Sequence, residues 1–362
     1  MVLNFLYFPP KVDPPLAEKN NMSQVFYRKY RPQSFEDVAG QENTVKILKN
    51  AVAKKRIAHA YLFSGPRGTG KTTVARILAR EAGSAEEDII EIDAASSRGI
   101  DEARALREAV RMVPFRSQYK TYIIDEVHML TKESFNALLK TLEEPPEHAI
   151  FILATTELAK VPDTIVSRTQ HFQFNKIAIP DIVGELKKIS SEEKLVAEDD
   201  ALKLIAFFAD GSLRDAENIL FQIASGGEKN IKEKDARMLL GAPEEESVEK
   251  IIKAAFGKNV EEVLKLLDKV LEEGIDPALL GKLLLRSLRA IYFLALDPKT
   301  ERFLEREFSS DEIESFKSMV PADAGCAEQA LRQIMESLDI HTDDYSASLP
   351  LELALIKIAT YK

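Results

Sequence analysis

Residues 65–72 read GPRGTGKT, with the apolar run YLFS before them and VARILA after them. The stretch fits G-x-x-x-x-G-K-[ST] between a strand pattern and a helix pattern, which is the setting this motif requires. Gly65, Gly68 and Gly70 let the backbone turn its N–H groups inward toward phosphate oxygens, with Pro66, Arg67 and Thr69 completing the loop. The dipole of the following helix adds to that field. Lys71 is placed to reach β- and γ-phosphates, and Thr72 to ligate Mg2+, with Thr73 next to it in the nucleotide-binding set. A glycine-rich loop with a chance lysine is the alternative, and it leaves the flanking elements unexplained.

A second stretch, TYIIDEVHML at 121–130, ends an apolar strand pattern on two carboxylates. Beside a phosphate loop, Asp125 would hold a metal through water and Glu126 would polarise the attacking water. The same acidic pair could instead cap a helix. His128 reads as a packing residue, and the other histidines are too scattered to form a metal cluster. Phosphoryl transfer also needs positive charge at the transition state. Arg168 in IVSRTQHF, just before a strand, and Arg214 in GSLRDAEN, at a helix start, are candidates, although each also fits an ordinary surface arginine.

Strand patterns at 61–64, 89–93, 121–125, 151–156 and 171–174 alternate with the helical patterns KTTVARILAREA, DEARALREAVRMV and KESFNALLKTLEE, which predicts an α/β fold with a parallel sheet flanked by helices. After Ile177 the pattern is helical to the C-terminus. Three helices are expected from PDIVGELKKISSEEK to SLRDAENILFQIA, closed by the turn-prone SGGEKN at 225–230. GAPEEE at 241–246 then precedes long amphipathic helices at about 247–256, 260–273 and 277–296.

With 362 residues, 45% of them hydrophobic, the chain can build more than one core. Its single cysteine, Cys326, excludes a disulfide framework or a thiolate metal site within the chain and fits a reducing cytoplasm. No apolar run reaches membrane-spanning length. Residues 1–21 lack a basic start and carry several prolines, so they read as a loose extension rather than a secretory signal, with Met22 an alternative start. The net charge of −10 is uneven: residues 22–175 sum to +2, 176–240 to −3 and 241–362 to −9. Any nucleic-acid contact therefore belongs to the first block.

FYRKYRPQSFEDVAGQE, HAYLFSGPRGTGKTT, EIDAASSRGIDEAR, YIIDEVHMLTKESFNALLKTLEEPPEH, FILATTE, SRTQHFQF and GSLRDAEN together resemble the bacterial DNA polymerase III gamma/tau clamp-loader family. The resemblance covers residues 23 to about 240 closely and the rest more diffusely. It implies an AAA+ P-loop module over 22–177, a helical lid over 178–242 and an all-α collar over 243–362. The implied activity is that of an ATPase motor using ATP and Mg2+ to load a sliding clamp onto primer–template DNA. Implied partners are delta, delta-prime and further gamma/tau copies. Such a subunit forms no phosphodiester bond itself, although it belongs to a DNA polymerase holoenzyme.

By the same resemblance Tyr27, Arg28, Tyr30, Arg31, Pro32, Val38 and Gly40 pack around the adenine, and Thr156 senses the γ-phosphate. Arg214 is the cis arginine of the lid, and Arg168 is the finger reaching a neighbouring subunit's site. Arg98, Lys132, Lys140 and Lys160 face DNA. Two departures stand out. The family's cysteine-rich zinc module is absent from AREAGSAEEDIIEID, so no zinc is expected, and the finger motif reads Ser167-Arg168-Thr169 rather than Ser-Arg-Cys. The chain ends at Lys362, where a longer tau form would continue, so it looks like the short form. The rival readings are a non-hydrolysing, delta-prime-like subunit and another AAA+ motor, such as a branch-migration helicase or a replication factor C small subunit.

Overall fold

The computed structural model describes residues 25–96, 112–226, 229–340 and 347–361. Strands β1 (Ala60–Ser64), β2 (Ile89–Asp93), β3 (Lys120–Asp125), β4 (Ala149–Thr155) and β5 (Gln170–Gln173) form one sheet in the order β2-β3-β4-β1-β5. Every pairing in it is parallel. These are the five strands expected from the sequence, with ends shifted by at most two residues.

Both faces of this sheet are covered, which is why its central strands are apolar throughout rather than alternating. Tyr61, Phe63, Ile123, Ile150 and Ile152 pack with Val74, Ile77 and Leu78 of the Lys71–Glu81 helix and with Leu48 of the Glu42–Ala53 helix. Leu62, Tyr122, Ile124, Phe151 and Leu153 point the other way, onto Phe135, Leu138 and Leu142 of the Lys132–Glu143 helix. The helix expected at 101–113 lies outside the described residues apart from its last two.

The chain divides into two compact units, one of residues 1–185 and 209–218, the other of residues 186–208 and 219–362. In the second unit, helices Glu245–Phe256, Val260–Glu272 and Pro277–Leu296 match the three long helices expected from the sequence, and Ser310–Met319, Ala324–Asp339 and Leu349–Thr360 follow. Their core includes Ile251, Leu267, Leu284, Ile291, Phe316 and Ile334. Arg286 is buried here between the rings of Phe207 and Phe308, at 5.1 and 4.0 Å, and is paired with Glu312 at 3.2 Å.

One expectation fails. Strands do not stop at Ile177, because Val196–Ala197 and Asn230–Ile231 form a small parallel pair. Each is two residues long, too short to leave an alternation in the sequence, and only the return of the chain after an intervening helical segment brings them together.

Candidate functional site

The loop Gly65–Gly70 joins β1 to the Lys71–Glu81 helix, and close packing fixes its glycines. Gly65 has φ +145°, and a Cβ there would meet the Phe174 carbonyl oxygen at 2.2 Å. Gly68 has φ +73°, and its Cβ would fall 1.9 Å from Ser212 Oγ. Any larger residue at either position must displace backbone or the segment that opens the Leu213–Ser225 helix. Lys71 is buried, and its ammonium donates to the carbonyls of Gly65 and Pro66, both at 2.7 Å. Burial lowers its pKa, while the charges of Glu126 and Asp125 oppose that shift.

Strand order brings the acidic pair to this loop. β4 lies between β1 and β3, with Ser64 in register with Thr155 and Ile124 with Leu153, so the three strands end side by side at their carboxyl edge. Ligands of open parallel sheets collect at that edge. Thr72 Oγ1 donates to Asp125 Oδ2 at 2.7 Å. Glu126 follows in the left-handed region, φ +48° and ψ +46°, a conformation that is uncommon for a residue with a side chain. Its carboxylate is held by Thr156, whose N–H and Oγ1 donate to Glu126 Oε2 at 3.3 and 3.0 Å. His128 is buried against this pair, with Nδ1 2.9 Å from Thr155 Oγ1.

Tyr27 and Arg214 meet within the same unit. The Arg214 guanidinium lies over the Tyr27 ring at 4.7 Å. Burial raises the Tyr27 phenol, but hydrogen bonds and charge from Arg28 and Arg214 outweigh it and leave the group below its usual range. Arg31 is lowered first by burial and then by the charge of Arg76. Gly40, at φ +72°, allows Ile177 to pack close, with a would-be Cβ only 2.8 Å from Ile177 Cγ2.

Residues 40–94 and 82–178 match a family described as DNA polymerase III, delta subunit, and residues 181–228 match one described as DNA polymerase III clamp loader subunit, ATPase lid domain. The chain is 38% identical to the DNA polymerase III subunit gamma of Buchnera aphidicola subsp. Schizaphis graminum, over 75% of this chain and 80% of that protein. The chain belongs to the DNA polymerase III gamma/tau subunit family. It is also 44% identical to the DNA polymerase III subunit tau of Bacillus subtilis, over 92% of this chain and 63% of that protein. It spans 46% of the Escherichia coli tau subunit. A Thermotoga maritima RuvB structure superimposes with a TM-score of 0.50 at 21% identity, covering 63% of this chain and 80% of that one, which shows the shared AAA+ fold and nothing finer.

In this gamma/tau-family chain Arg168 stands apart from the site just described. Its guanidinium pairs with Glu143 at 2.8 Å and donates to the Thr164 carbonyl at 2.9 Å. Lys132 and Lys140 are exposed on the Lys132–Glu143 helix, and Lys160 is exposed at the end of the Leu158–Lys160 turn. Arg98 lies outside the described residues. Among the described residues, no group of three or more His, Cys, Asp or Glu could hold a metal ion, and no helix is long and apolar enough to cross a membrane.

Sequence reading missed two residues of the phosphate loop's support. Gln41 is buried, and its amide donates to the Thr69 carbonyl at 3.3 Å and the Asn175 carbonyl at 2.8 Å. Ser212, against Gly68, accepts from Asp215 N–H at 3.2 Å and so caps the helix that carries Arg214. The available signal was their adjacency to the singled-out Gly40 and Arg214.

Glu217 was also missed. It lies three residues after Arg214 on the same helix and is buried; desolvation and the Glu185 charge raise its pKa to about 8, against the opposing charge of Arg31. A carboxyl whose folded-state pKa is raised gives stability that is fully present below the ordinary value of 4.5 and is lost as pH rises through about 8. Glu217→Gln is expected to flatten this decline and to be the more stable form at pH 8, by on the order of a few kcal/mol at most. Thermal unfolding from pH 5 to 8.5 checks this, and parallel profiles for the two proteins would remove the assignment.

Proposed function

We propose that this chain is an ATP-hydrolysing motor subunit of a clamp loader, with residues 22–177 as its ATPase module, 178–242 as a lid and 243–362 as a collar through which subunits assemble. The observation that carries this reading is the 2.7 Å contact of Thr72 with Asp125, beside an intact Lys71 and Glu126. A non-hydrolysing subunit has no need of all four groups. Likeness to RuvB reaches only the fold and gives a helicase reading no support.

Hydroxyl and carboxylate oxygens suit Mg2+, so Thr72 and Asp125 fit as its holders, Asp125 through water. Bound there, the ion would neutralise charge between the β- and γ-phosphates. The backbone N–H groups of residues 67–70 cradle the phosphates, and Lys71 exchanges the Gly65 and Pro66 carbonyls for phosphate oxygens. Tyr27, Arg28, Tyr30, Arg31, Pro32, Val38 and Gly40 enclose the base. Glu126, released from Thr156, orients the attacking water, while Thr156 turns to the γ-phosphate. Arg214 supplies positive charge in cis and Arg168 supplies it in trans. Binding would order the subunits and open a sliding clamp around primer–template DNA; hydrolysis would release both. The assembly, with delta, delta-prime and further copies of this chain, would act in the cytoplasm. DNA-directed DNA polymerase activity would belong to the holoenzyme rather than to this chain's own reaction. The test is the ATPase rate of the reconstituted complex with and without clamp and primed DNA, and a rate indifferent to both would refute the assignment.

Arg98, Lys132, Lys140 and Lys160 are proposed as the phosphate contacts. Each neutralised phosphate adds roughly 0.9 to the log–log salt slope of binding. Reversing all four charges is expected to abolish DNA stimulation and flatten that slope. Retained stimulation would remove these residues from the DNA surface.

A further inference from the structure

Glu217 takes no part in the phosphate chemistry, yet it is only 6% exposed, and among the described residues its carboxyl makes no hydrogen bond or ion pair. The Arg31 guanidinium, whose charge acts on it, has none either. Buried polar groups are paired with few exceptions, so two such groups together point to a ligand that supplies the partners. Their place in the fold says which part of a ligand they meet. Ser212, just before the Leu213–Ser225 helix, lies against Gly68 of the phosphate loop, and Arg214 lies over Tyr27 at 4.7 Å. Glu217, three residues after Arg214, is on the same side of the helix. At about 1.5 Å per residue it stands roughly 7 Å along the axis from Ser212, the scale of the ribose that separates phosphate from base. Glu217, Arg31, Tyr27 and Gly68 all belong to one compact unit.

We infer that Glu217 reads the hydrogen-bonding edge of the adenine base and so selects ATP over GTP. The inference rests on the proposed nucleotide site and adds the group that chooses its base. Burial and the charge of Glu185, on the Ile179–Glu192 helix, hold the carboxyl uncharged below about pH 8, against the opposing charge of Arg31. Arg31 in turn feels the like charges of Arg76, Arg214 and Arg28 and the opposite charge of Glu91. A neutral carboxyl has one O–H donor and one carbonyl acceptor. Adenine presents the matching pair, its N6 amino donor beside the N7 acceptor, whereas the same edge of guanine presents two acceptors, N7 and O6. With guanine the Glu217 carbonyl oxygen would face O6, and a bond would become a repulsion. Ionisation removes the donor, so the carboxylate would repel N7 of either base and the preference for adenine would fade. The preference is therefore full at low pH and declines as pH rises through about 8.

Titration calorimetry of the full chain with Mg-ATP and Mg-GTP, from pH 6.5 to 8.5, tests this. ATP should bind at least about 10-fold tighter than GTP at pH 6.5, the scale of one bidentate base contact. The ratio should fall by about 3-fold or more by pH 8.5, as the carboxyl ionises. Glu217→Gln keeps a donor and an acceptor in an amide that does not titrate, so it should retain the preference for ATP and lose the pH dependence. Glu217→Leu should bring the ratio close to unity while both nucleotides still bind through the phosphate loop. Lys71→Ala should weaken both nucleotides alike. An undiminished preference for ATP in Glu217→Leu, with binding still weakened by Lys71→Ala, overturns the base reading and leaves the nucleotide site standing. A pH dependence in Glu217→Gln equal to that of the natural chain overturns it too, even where Glu217→Leu fails to fold. ATP binding that Lys71→Ala does not weaken overturns the nucleotide site itself, and the base reading falls with it.

Discussion

Lys71→Ala is expected to lose ATP hydrolysis by at least about 10² to 10³-fold, the range seen when one preorganised charge or donor is removed from a transition state. The ammonium is buried at the centre of the loop and donates to two loop carbonyls. In the proposed site, its removal deletes a positive charge placed to meet the β- and γ-phosphates. The bonds lost are those of a charged donor, about 1.5 to 3 kcal/mol, and relief of the cost of burying the ammonium offsets them, so the fold should persist. Binding of a fluorescent ATP analogue, together with circular dichroism, separates loss of the site from loss of the fold. Glu126→Gln is the contrasting case. It retains a group that can meet Thr156 and leaves Lys71, Thr72 and Asp125 in place, so nucleotide should remain bound while turnover stops. A glutamine variant that cannot retain ATP would show that Glu126 supports the loop structurally. Normal hydrolysis in Lys71→Ala would refute the whole site.

Arg168→Ala and Arg214→Ala should behave as opposites. Arg214 stands in the same compact unit as the phosphate loop, with its guanidinium over Tyr27 at 4.7 Å and the neighbouring Ser212 against Gly68. Its loss should weaken ATP binding even in the isolated chain, because both its stacking partner and its proposed phosphate lie in that chain. Arg168 is held by Glu143 and the Thr164 carbonyl, and its side chain is one-third exposed at 36%. Its loss should leave nucleotide affinity of the isolated chain unchanged. In the assembled complex it should suppress stimulated hydrolysis by about 10³ to 10⁵-fold, the usual worth of an arginine finger. Mixing Arg168→Ala subunits with Lys71→Ala subunits provides the decisive measurement. Interfaces that pair an intact loop with an intact finger should recover part of the rate. No recovery, with mixed assembly confirmed by mass, would remove the trans role.

The phosphate loop, the acidic pair and the alternation of five strands with helices were legible because each is written locally. The motif spacing of residues 65–72 and the apolar strand runs each occupy a few consecutive residues, and local backbone preference follows from such patterns. The partners those elements meet were not legible. No periodicity shows that β4 inserts between β1 and β3, yet that insertion places Thr155 and Thr156 between the phosphate loop and Asp125–Glu126. Gln41 bonds to Thr69 and Asn175, residues remote from it in the chain, and Glu217 acquires its raised pKa only because folding buries it beside Glu185. Residue type reports what a side chain can donate, accept or bury. Which atom it meets depends on long-range packing, and desolvation and Coulomb energies depend on that meeting far more than on residue type.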